Sequence, residues 1–444
     1  MFSELISDMV RNAGIASLPT VKRAAGAVTR LIPIPQPVLL VGPGSAAKLG
    51  QTIGDFGHRK LLLVTDAVIT RLGLSAPLTE ALRAAGTAFV VFDAITPDAP
   101  IPLIEQGLEL YRSEDCDAVI AIGGGSVMDA AKVIALAATN GKRPRELAGY
   151  FRGLRSPAPI YAVPTTAGTG SEVTVAAIIS DPALGRKYMV ADSRLVPDMA
   201  ALDPTLMLGL PPAVTAATGM DALTHAVESF VSDWATPATD RWALAATGMI
   251  WQHLPRVVRD GNDLVSREKM ALASTYAGLA FTRANVGNVH AIAHQLGGKY
   301  HVPHGLANAV LLPVVLRFSL PSAAPRLARL AEHVGIRGNG DKASAEKFVD
   351  AIQALNDSIS IPHTLEALRE ADIPELARAA CSEADLNYPV PRRMSVADAE
   401  GMLRQVLPGA AQPEPRVTRT PRKRAATAPR RGTAVPRAAA RRGA

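Results

Sequence analysis

The pattern of apolar residues changes once along the chain, near Pro211 and Pro212, and this change limits the available folds. Before it, short runs of Val, Ile and Leu alternate with helical patterns. The clearest of these runs are residues 61–66, 88–93, 118–125 and 159–166. Such runs are typical of strands buried on both faces of a parallel sheet. After it, stretches of period 3.6 predict helices to about residue 410. The sequence therefore predicts an α/β domain over residues 32–208 and an all-α domain over residues 209–411.

Composition is that of a globular protein with a large core. The chain has 444 residues, of which 48% are hydrophobic and 20% charged, and this length is enough for two or three domains. Its two cysteines, Cys116 and Cys381, are too few for a disulfide framework or a thiolate cluster. We therefore expect reduced structural thiols and a cytoplasmic location.

The basic charge of the chain is concentrated in its C-terminal tail. Between Gln412 and Ala444, ten Arg or Lys residues oppose one acid, Glu414; subtracting this +9 from the net charge of +7 leaves −2 for residues 1–411. The tail is rich in Pro, Ala, Thr and Arg, which predicts disorder. Non-specific contacts with nucleic acid phosphates are one interpretation of it, and a solvated appendage without a partner is the other.

The N-terminal extension, residues 1–31, begins with an apolar stripe of helical spacing. Its members are Phe2, Leu5, Ile6, Met9 and Val10, which predict a short amphipathic helix. This helix could pack on its own fold or on a second subunit, or contact a membrane surface. Glu4 and Asp8 interrupt any signal-peptide core, and no apolar stretch approaches the length of a membrane span. The sequence therefore predicts neither secretion nor membrane insertion.

A glycine-rich segment joins the predicted strand at residues 118–125 to a helix. Gly123, Gly124, Gly125 and Ser126 would let backbone N–H groups and the helix dipole approach a phosphate. Ser126 also fits a helix N-cap, with Asp129 three residues later as the second half of a capping box. A tight structural turn is the alternative interpretation.

Two further polar segments follow predicted strands. Asp66 ends the strand at residues 61–66 and could accept hydrogen bonds from a ribose. It lies 57 residues before the glycines, whereas the common dinucleotide fingerprint has its acid about 20 residues after them. Residues 164–172 offer hydroxyls and glycines that could surround a ribose or a phosphate, although a polar surface turn would have the same composition.

Histidines and one aspartate suggest a metal site. Asp221 lies four residues before His225, a spacing that stacks the two side chains on one helix face, although one such pair is expected about once by chance in this composition. Four more histidines follow within fifteen residues: His290, His294, His301 and His304. Any three of the five imidazoles could be ligands. One carboxylate with neutral imidazoles suits Fe(II) or Zn(II).

Four motifs together resemble the iron-containing (group III) alcohol dehydrogenases. They are GGGSVMDAAK, PTTAGTGSEVT, GMDALTHAVESFVS and NVHAIAHQLGGKYHVPHGLANAVLLP, and the likeness runs from about Pro33 to Val406. The resemblance implies a dehydroquinate synthase-like architecture. In it, an α/β dinucleotide-binding domain precedes a helical metal-binding domain, and catalysis takes place in the cleft between them.

The resemblance also implies roles for individual residues. The metal ligands are Asp221, His225, His290 and His304. His294 corresponds to a residue beside the nicotinamide that helps to move protons, and Phe281 to an aromatic residue of the substrate pocket. The NAD-binding positions are Asp66, Gly123, Gly124, Gly125, Ser126, Thr165, Thr166, Thr169, Ser171 and Lys187. An acid at position 66 favours NAD, because a carboxylate repels the 2′-phosphate of NADP.

Some positions depart from the family pattern. Pro97, Asp98 and Ala99 stand where many members have Pro-Asn-Pro, and His301 occupies a variable position. Arg283 and Asn285 replace more usual residues near the pocket. Arg283 could bind a substrate carboxylate or face solvent.

The function implied is reversible hydride transfer between a primary alcohol or an aldehyde and NAD, with Fe(II) or alternatively Zn(II), in a homodimer. A hydroxyacid-oxoacid transhydrogenase of the same superfamily is the alternative. A metal-dependent lyase on the same scaffold, and a nucleic-acid or scaffold protein acting through its tail, are further interpretations.

Overall fold

Parallel strands organise the first half of the protein. The computed structural model describes Gly26 and residues 32–410. The described strands are β1 (Val38–Val41), β2 (Lys60–Val64), β3 (Ala88–Phe92), β4 (Ala118–Gly123), β5 (Gly149–Tyr150), β6 (Ile160–Pro164), β7 (Ala176–Asp181), β8 (Arg186–Ala191) and β9 (Met199–Leu202). Six of them form one sheet in the order β1-β9-β6-β4-β2-β3, and every pairing in it is parallel. The four strands predicted from the sequence are all present in this sheet.

Both faces of this sheet are buried, as the continuous apolar runs predict. Within residues 32–208, five α-helices accompany it, namely α1 (Ser45–Gly54), α2 (Ala67–Arg71), α3 (Ala76–Ala84), α4 (Ile101–Ser113) and α5 (Gly125–Asn140). Leu62 and Val64 belong to the core shared with α4 and α5, while the alternate residues Leu61 and Leu63 belong to the core shared with α1 and α3. Each such fully buried side chain contributes about 1.5–3 kcal/mol to stability.

A second, three-stranded sheet was not predicted from the sequence. Its order is β5-β8-β7, with β7 and β8 antiparallel. The strand β7 alternates between half-buried and buried residues, β8 begins with Arg186 and Lys187, and β5 has only two residues, so the pattern is not the fully buried apolar run of a central strand. This sheet packs beside α5 and carries Lys187 on β8.

Helices build the second half, as predicted. They are α6 (Pro212–Val231), α7 (Pro237–Arg259), α8 (Leu264–Ala284), α9 (Asn288–Tyr300), α10 (His304–His333), α11 (Asp341–Ser358), α12 (Ile373–Asn387) and α13 (Val396–Gln405). One apolar core joins them. The predicted fold class, a parallel α/β part followed by a helical part, is confirmed.

The helix α10 corrects the expectation that no stretch is long enough to span a membrane. Its 30 residues reach a mean hydropathy of 1.5 in the most apolar window, but 61% of that window is buried in the protein. Pro313, Pro321 and Pro325 lie within it. A core helix of a globular protein has the same length and composition, so this helix is weak evidence for membrane insertion.

The N-terminal amphipathic helix and the basic tail lie outside the described residues. The predictions for residues 1–31 and 412–444 therefore remain predictions.

Candidate metal centre and cofactor site

Four of the predicted ligands converge in one place. Asp221 and His225 lie on α6, His290 on α9, and His304 is the first residue of α10. Each offers one ligand atom, and these atoms all lie within 4.8 Å of one another. Asp221, His225 and His290 are buried, whereas the His304 side chain is 33% exposed. We refer to these four residues as the Asp-His cluster.

Local sequence explains how three helices meet so closely. Asp221 and His225 share one face of α6 because four residues make just over one turn. Gly305 follows His304, and a Cβ atom on it would lie 2.4 Å from the Ala217 carbonyl oxygen and 3.3 Å from the Asp221 Cβ atom. This glycine therefore lets the start of α10 approach α6.

Glu228 and Asn308 orient two members of the cluster, His290 and Asp221, by hydrogen bonds. The Glu228 carboxylate accepts hydrogen bonds from His290 Nδ1 at 2.6 Å and from the backbone N–H groups of Gly287 and Val289 at 2.9 and 2.7 Å. The Asn308 amide donates to Asp221 Oδ1 at 2.7 Å. Because His290 Nδ1–H donates a hydrogen bond to Glu228, the Nε2 lone pair of that ring faces the cluster.

The electrostatic environment keeps the imidazoles neutral. Burial lowers the pKa of His290 well below its ordinary value and the pKa of His304 to about 4. Burial also lowers the pKa of His225, although the neighbouring Asp221 opposes this change. Neutral imidazole is the form that binds a metal.

The donor set fits a divalent cation. The Asn308 Nδ2 atom lies 3.2 Å from His290 Nε2 and 3.1 Å from His304 Nε2 as well as near Asp221. One amide with two hydrogens cannot satisfy three acceptors, and Asn308 Oδ1 is itself buried without a partner among the described residues. A carboxylate with several imidazole lone pairs directed at one point is the ligand type that Fe(II) and Zn(II) prefer.

The other two histidines lie outside the cluster. His294 stacks on His304 with 5.3 Å between ring centroids, and its Nδ1 atom is hydrogen-bonded to Glu383 rather than directed at Asp221. His301 lies at the end of α9 with a left-handed backbone conformation, and its side chain is 83% exposed. Of the five imidazoles, the structure thus brings three together with Asp221.

The predicted pocket residues lie around the cluster in different ways. Phe281 stacks on His225 with 4.3 Å between ring centroids. Arg283 donates a hydrogen bond of 3.4 Å to the Ile34 carbonyl oxygen, and Asn285 donates one of 3.0 Å to the Asn387 carbonyl oxygen. Phe281 is therefore next to the cluster, while Arg283 and Asn285 tie the C-terminal end of α8 to neighbouring segments.

The glycine segment lies at the carboxyl edge of the sheet, but its helix cap differs from the prediction. The helix α5 begins at Gly125, and Gly124 at its N-cap provides no side-chain hydrogen bond. Ser126 lies inside the first turn, where its hydroxyl accepts from the Asp98 N–H group. Asp129 accepts from Ser171 Oγ and Ile178 N–H instead of closing a capping box. The predicted box is wrong because these long-range donors occupy both side chains.

The hydroxyl-rich loop lies next to the glycine segment. Gly123 pairs with Pro164 across the sheet, and the Thr165 N–H group donates to the Gly123 carbonyl oxygen. Thr166 and Thr169 are half-buried and stand beside Gly124 and Gly125, respectively. Thr165 and Ser171 are buried, and the Ser171 hydroxyl is used by Asp129.

The same loop contacts the helical half. The Gly168 carbonyl oxygen lies 3.3 Å from His225 Nδ1. Gly170 adopts a left-handed conformation, and a Cβ atom there would lie 2.9 Å from the Gly278 Cα atom of α8. Two glycines thus allow the loop to reach α8, and the loop connects the sheet edge to the Asp-His cluster.

The two remaining cofactor candidates, Asp66 and Lys187, are both charged. Asp66 caps α2 by accepting from Val68 N–H and Ile69 N–H at the carboxyl end of β2. Lys187 Nζ lies 2.6 Å from Asp98 Oδ1, and the two side chains are 20% and 33% exposed. Lys187 also lies near Gly297 of α9, so it stands between the small sheet and the helical half.

Sequence reasoning missed several polar residues of the site. Glu228 could have been found, since it lies seven residues after Asp221 on the same helix face, and Asn308 lies four residues after His304. Glu383 and Tyr388 could not, because they lie some 90 residues from His294 in a different helical segment.

Comparisons with known proteins agree with this geometry. The family model described as "Iron-containing alcohol dehydrogenase" matches residues 36–204, and the model "Fe-containing alcohol dehydrogenase family, C-terminal" matches residues 215–407. The NAD-dependent methanol dehydrogenase of Bacillus methanolicus is 37% identical over 379 residues, which is 84% of this chain and 98% of that protein. The 1,3-propanediol dehydrogenase of Klebsiella pneumoniae is 40% identical over 82% of this chain and 96% of its own length.

A solved structure extends the agreement to the fold. The crystal structure of 1,3-propanediol oxidoreductase superposes with a TM-score of 0.82 at 38% identity, covering 85% of this chain and all of that one. The predicted family is confirmed, and these relatives give no support to the transhydrogenase alternative. This chain belongs to the iron-containing alcohol dehydrogenase family.

Proposed function

We propose that this protein is a metal- and NAD-dependent alcohol dehydrogenase that interconverts a primary alcohol and its aldehyde. The observation that carries the proposal is the convergence of Asp221, His225, His290 and His304 within 4.8 Å, next to a loop that reaches the glycine segment. Relatives that span nearly the same length act on methanol and on 1,3-propanediol according to their names.

The Asp-His cluster would hold the metal, Fe(II) or alternatively Zn(II). A divalent cation there would supply Lewis-acid chemistry, which favours loss of the hydroxyl proton of an alcohol near neutral pH. Glu228 and Asn308 keep the His290 ring and the Asp221 carboxylate in position. Phe281 covers the His225 ring and limits the access of water to that side.

The carboxyl edge of the sheet would hold NAD, which supplies the hydride acceptor. Gly123, Gly124, Gly125 and Ser126 present the start of α5 to a phosphate, and Thr165, Thr166, Thr169 and Ser171 form the adjoining loop. Asp66 lies at the end of β2, where a carboxylate accepts ribose hydroxyls and repels a 2′-phosphate. Lys187 provides a positive charge between this edge and the cluster.

His294 would move the proton that leaves the alcohol. Its ring stacks on His304, and its Nδ1 atom is held by a carboxylate, so the other ring nitrogen is available to a substrate hydroxyl. Hydride transfer needs the alcohol carbon and the nicotinamide at reacting distance, and the loop at residues 164–172 connects the two sites that would hold them.

We further propose a cytoplasmic homodimer. Cys116 and Cys381 are free and buried, which agrees with a reducing compartment. The edge strand β1 exposes Val38 and Val41, which are 58% and 44% exposed, and an apolar strand edge of this kind favours pairing with a second chain.

The test is an absorbance screen for NADH formation from short alcohols and diols. The protein is stripped of metal and reloaded with either Fe(II) or Zn(II). We expect NADH to form without any oxo acid, and His304→Ala to abolish it. The control is His301→Asn, which changes an exposed histidine outside the cluster and keeps a residue that tolerates the left-handed backbone. Turnover in His304→Ala equal to that of the control would contradict the proposal.

A further inference from the structure

A carboxylate and a phenol lie against His294 on the side of its Nδ1 atom. Glu383 Oε1 is 2.6 Å from His294 Nδ1, and the Tyr388 hydroxyl donates to the same oxygen at 2.6 Å. Gln295 Nε2 donates to the second carboxylate oxygen at 2.6 Å. Two side chains, Tyr388 and Gln295, therefore hold the Glu383 carboxylate against the His294 imidazole.

The packing of α9 against α12 brings these groups together. His294 and Gln295 are neighbours on α9, Glu383 lies in the last turns of α12, and Tyr388 directly follows the last residue of α12. The side chains of His294 and Glu383 are each 22% exposed, and Tyr388 is buried. The arrangement is rigid, because two helices and a buried ring determine the position of the carboxylate.

Hydrogen-bond chemistry determines which ring nitrogen carries the proton. An ionised carboxylate only accepts hydrogen bonds, so Nδ1 must be the donor. Although burial raises the pKa of Glu383, the His294 ring and the hydrogen bonds from His294, Tyr388 and Gln295 outweigh it and lower that pKa below its usual value. Burial, together with the nearby Glu383 charge, raises the pKa of Tyr388, which keeps its hydroxyl proton. Among the described residues, no hydrogen bond engages His294 Nε2.

We propose that Glu383, held by Tyr388 and Gln295, is a positioning residue that fixes the ring orientation and the Nδ1-protonated tautomer of His294. The inference rests on the proposed alcohol dehydrogenase function. Nε2 then accepts a hydrogen bond from the alcohol hydroxyl. NAD, when bound, would supply the acceptor for the hydride of the alcohol carbon, and Nε2 would take the hydroxyl proton, so that an aldehyde and NADH are the products. The imidazolium returns its proton to water.

Kinetics separate this role from a purely structural one. Glu383→Ala should lower kcat by about 10- to 100-fold, the loss typical of removing a partner that orients a histidine, with a change of about twofold or less in the KM for NAD. In a His294→Ala background the same substitution should have no further effect on kcat, because Glu383 acts through that ring. Tyr388→Phe should have a smaller effect of the same kind.

Glu375→Gln is the matched control, since Glu375 lies on the same helix, is 70% exposed and pairs only with Lys299 in the contacts described. Glu383→Gln keeps the side-chain volume and should retain the wild-type melting temperature and metal content. An equal loss of kcat with and without His294, or an unchanged kcat in both Glu383 variants, would overturn the proposal.

A spectroscopic measurement does not depend on turnover. In zinc-loaded protein with ¹⁵N-labelled histidine, the His294 signal is identified by its loss in His294→Ala. Long-range ¹H–¹⁵N correlation should show the Nδ1-protonated tautomer in the wild type and a shift towards the Nε2-protonated form in Glu383→Ala. The same tautomer in both proteins would overturn the inference even if alcohols are oxidised. The expected shift without any alcohol oxidation would instead contradict the proposed function alone.

Discussion

The Asp-His cluster and the proposed NAD site differ in the groups that form them. We call the NAD site, residues 123–126 and 164–172 at the carboxyl end of the sheet, the cofactor edge. The cluster consists of side chains from three helices, and further side chains, Glu228 and Asn308, hold them. The cofactor edge consists mainly of backbone groups, namely the glycine segment, the start of α5 and the adjoining loop. One hydroxyl of that loop, Ser171, already donates a hydrogen bond to Asp129. Loss of one side chain should therefore disable the first region, whereas the second should be sensitive to atoms that are added.

Removal of the Glu228 carboxylate should have the largest effect, a loss of metal affinity that leaves the cofactor edge unchanged. Glu228→Ala should weaken zinc binding about 10- to 100-fold, because His290 loses the partner that orients it. The Gly287 and Val289 N–H groups also lose their acceptor, at a cost of about 1–3 kcal/mol for each buried donor. Competition with a chelator measures the affinity and thermal melting the stability. Glu332→Ala, at an exposed position, is the control. Wild-type affinity in Glu228→Ala would show that the cluster needs no such support.

An added methyl group should damage the cofactor edge and spare the cluster. A Cβ atom at Gly125 would lie 2.6 Å from Thr169 Cγ2, so Gly125→Ala must displace a residue of the proposed NAD site. We expect the Kd for NADH, measured by fluorescence, to rise about tenfold, equivalent to about 1.4 kcal/mol, with metal content unchanged. Gly209→Ala, where the added atom meets open space, should change neither quantity. Metal loss in Gly125→Ala alone would break the distinction between the two regions.

A smaller effect is expected at the ion pair between Asp98 and Lys187. Asp98→Asn removes the negative charge that neutralises Lys187. Because the lysine can then attract the ADP phosphates, ADP should bind about two- to fivefold more tightly, and its affinity should depend more steeply on salt. Calorimetric titration at two ionic strengths measures both. Asp350→Asn, which breaks an exposed pair with Arg317, should leave ADP binding as it is. Weaker ADP binding in Asp98→Asn would mean that the carboxylate organises the site rather than screening Lys187.

The smallest effect is expected from the basic tail. Deletion of residues 412–444 removes a charge of +9 but no residue of either region. Alcohol turnover should be unchanged, as judged by kcat and KM at physiological salt. A loss of turnover together with a loss of DNA retention would instead favour a protein that acts through its tail.

Sequence patterns predicted those features that depend on local periodicity. The parallel strands appeared as continuous apolar runs, the helical half as stretches of period 3.6, and the Asp221 and His225 pair as a spacing of four. The proposed boundary near residue 208 falls between the end of β9 at Leu202 and the start of α6 at Pro212, and it stays a prediction. The family prediction rested on several long motifs together, and the family models that match residues 36–204 and 215–407 confirm it.

Features that depend on distant partners could not be predicted. Ser126 and Asp129 fitted a capping box in sequence, but Asp98, Ser171 and Ile178 compete for them in the folded protein. The partner of His294 lies 89 residues away on α12, and no local pattern connects the two. The small sheet was missed because β7 alternates between half-buried and buried residues, β8 begins with two charged residues, and β5 has only two residues.

Metal stoichiometry tests the central claim most directly. Purified wild-type, His294→Ala and His304→Ala proteins are loaded with Zn(II), dialysed and analysed for bound metal. The account predicts one ion per chain in the wild type and in His294→Ala, and a content well below one in His304→Ala. Full occupancy in His304→Ala, or loss of the ion in His294→Ala alone, would contradict a centre formed by Asp221, His225, His290 and His304.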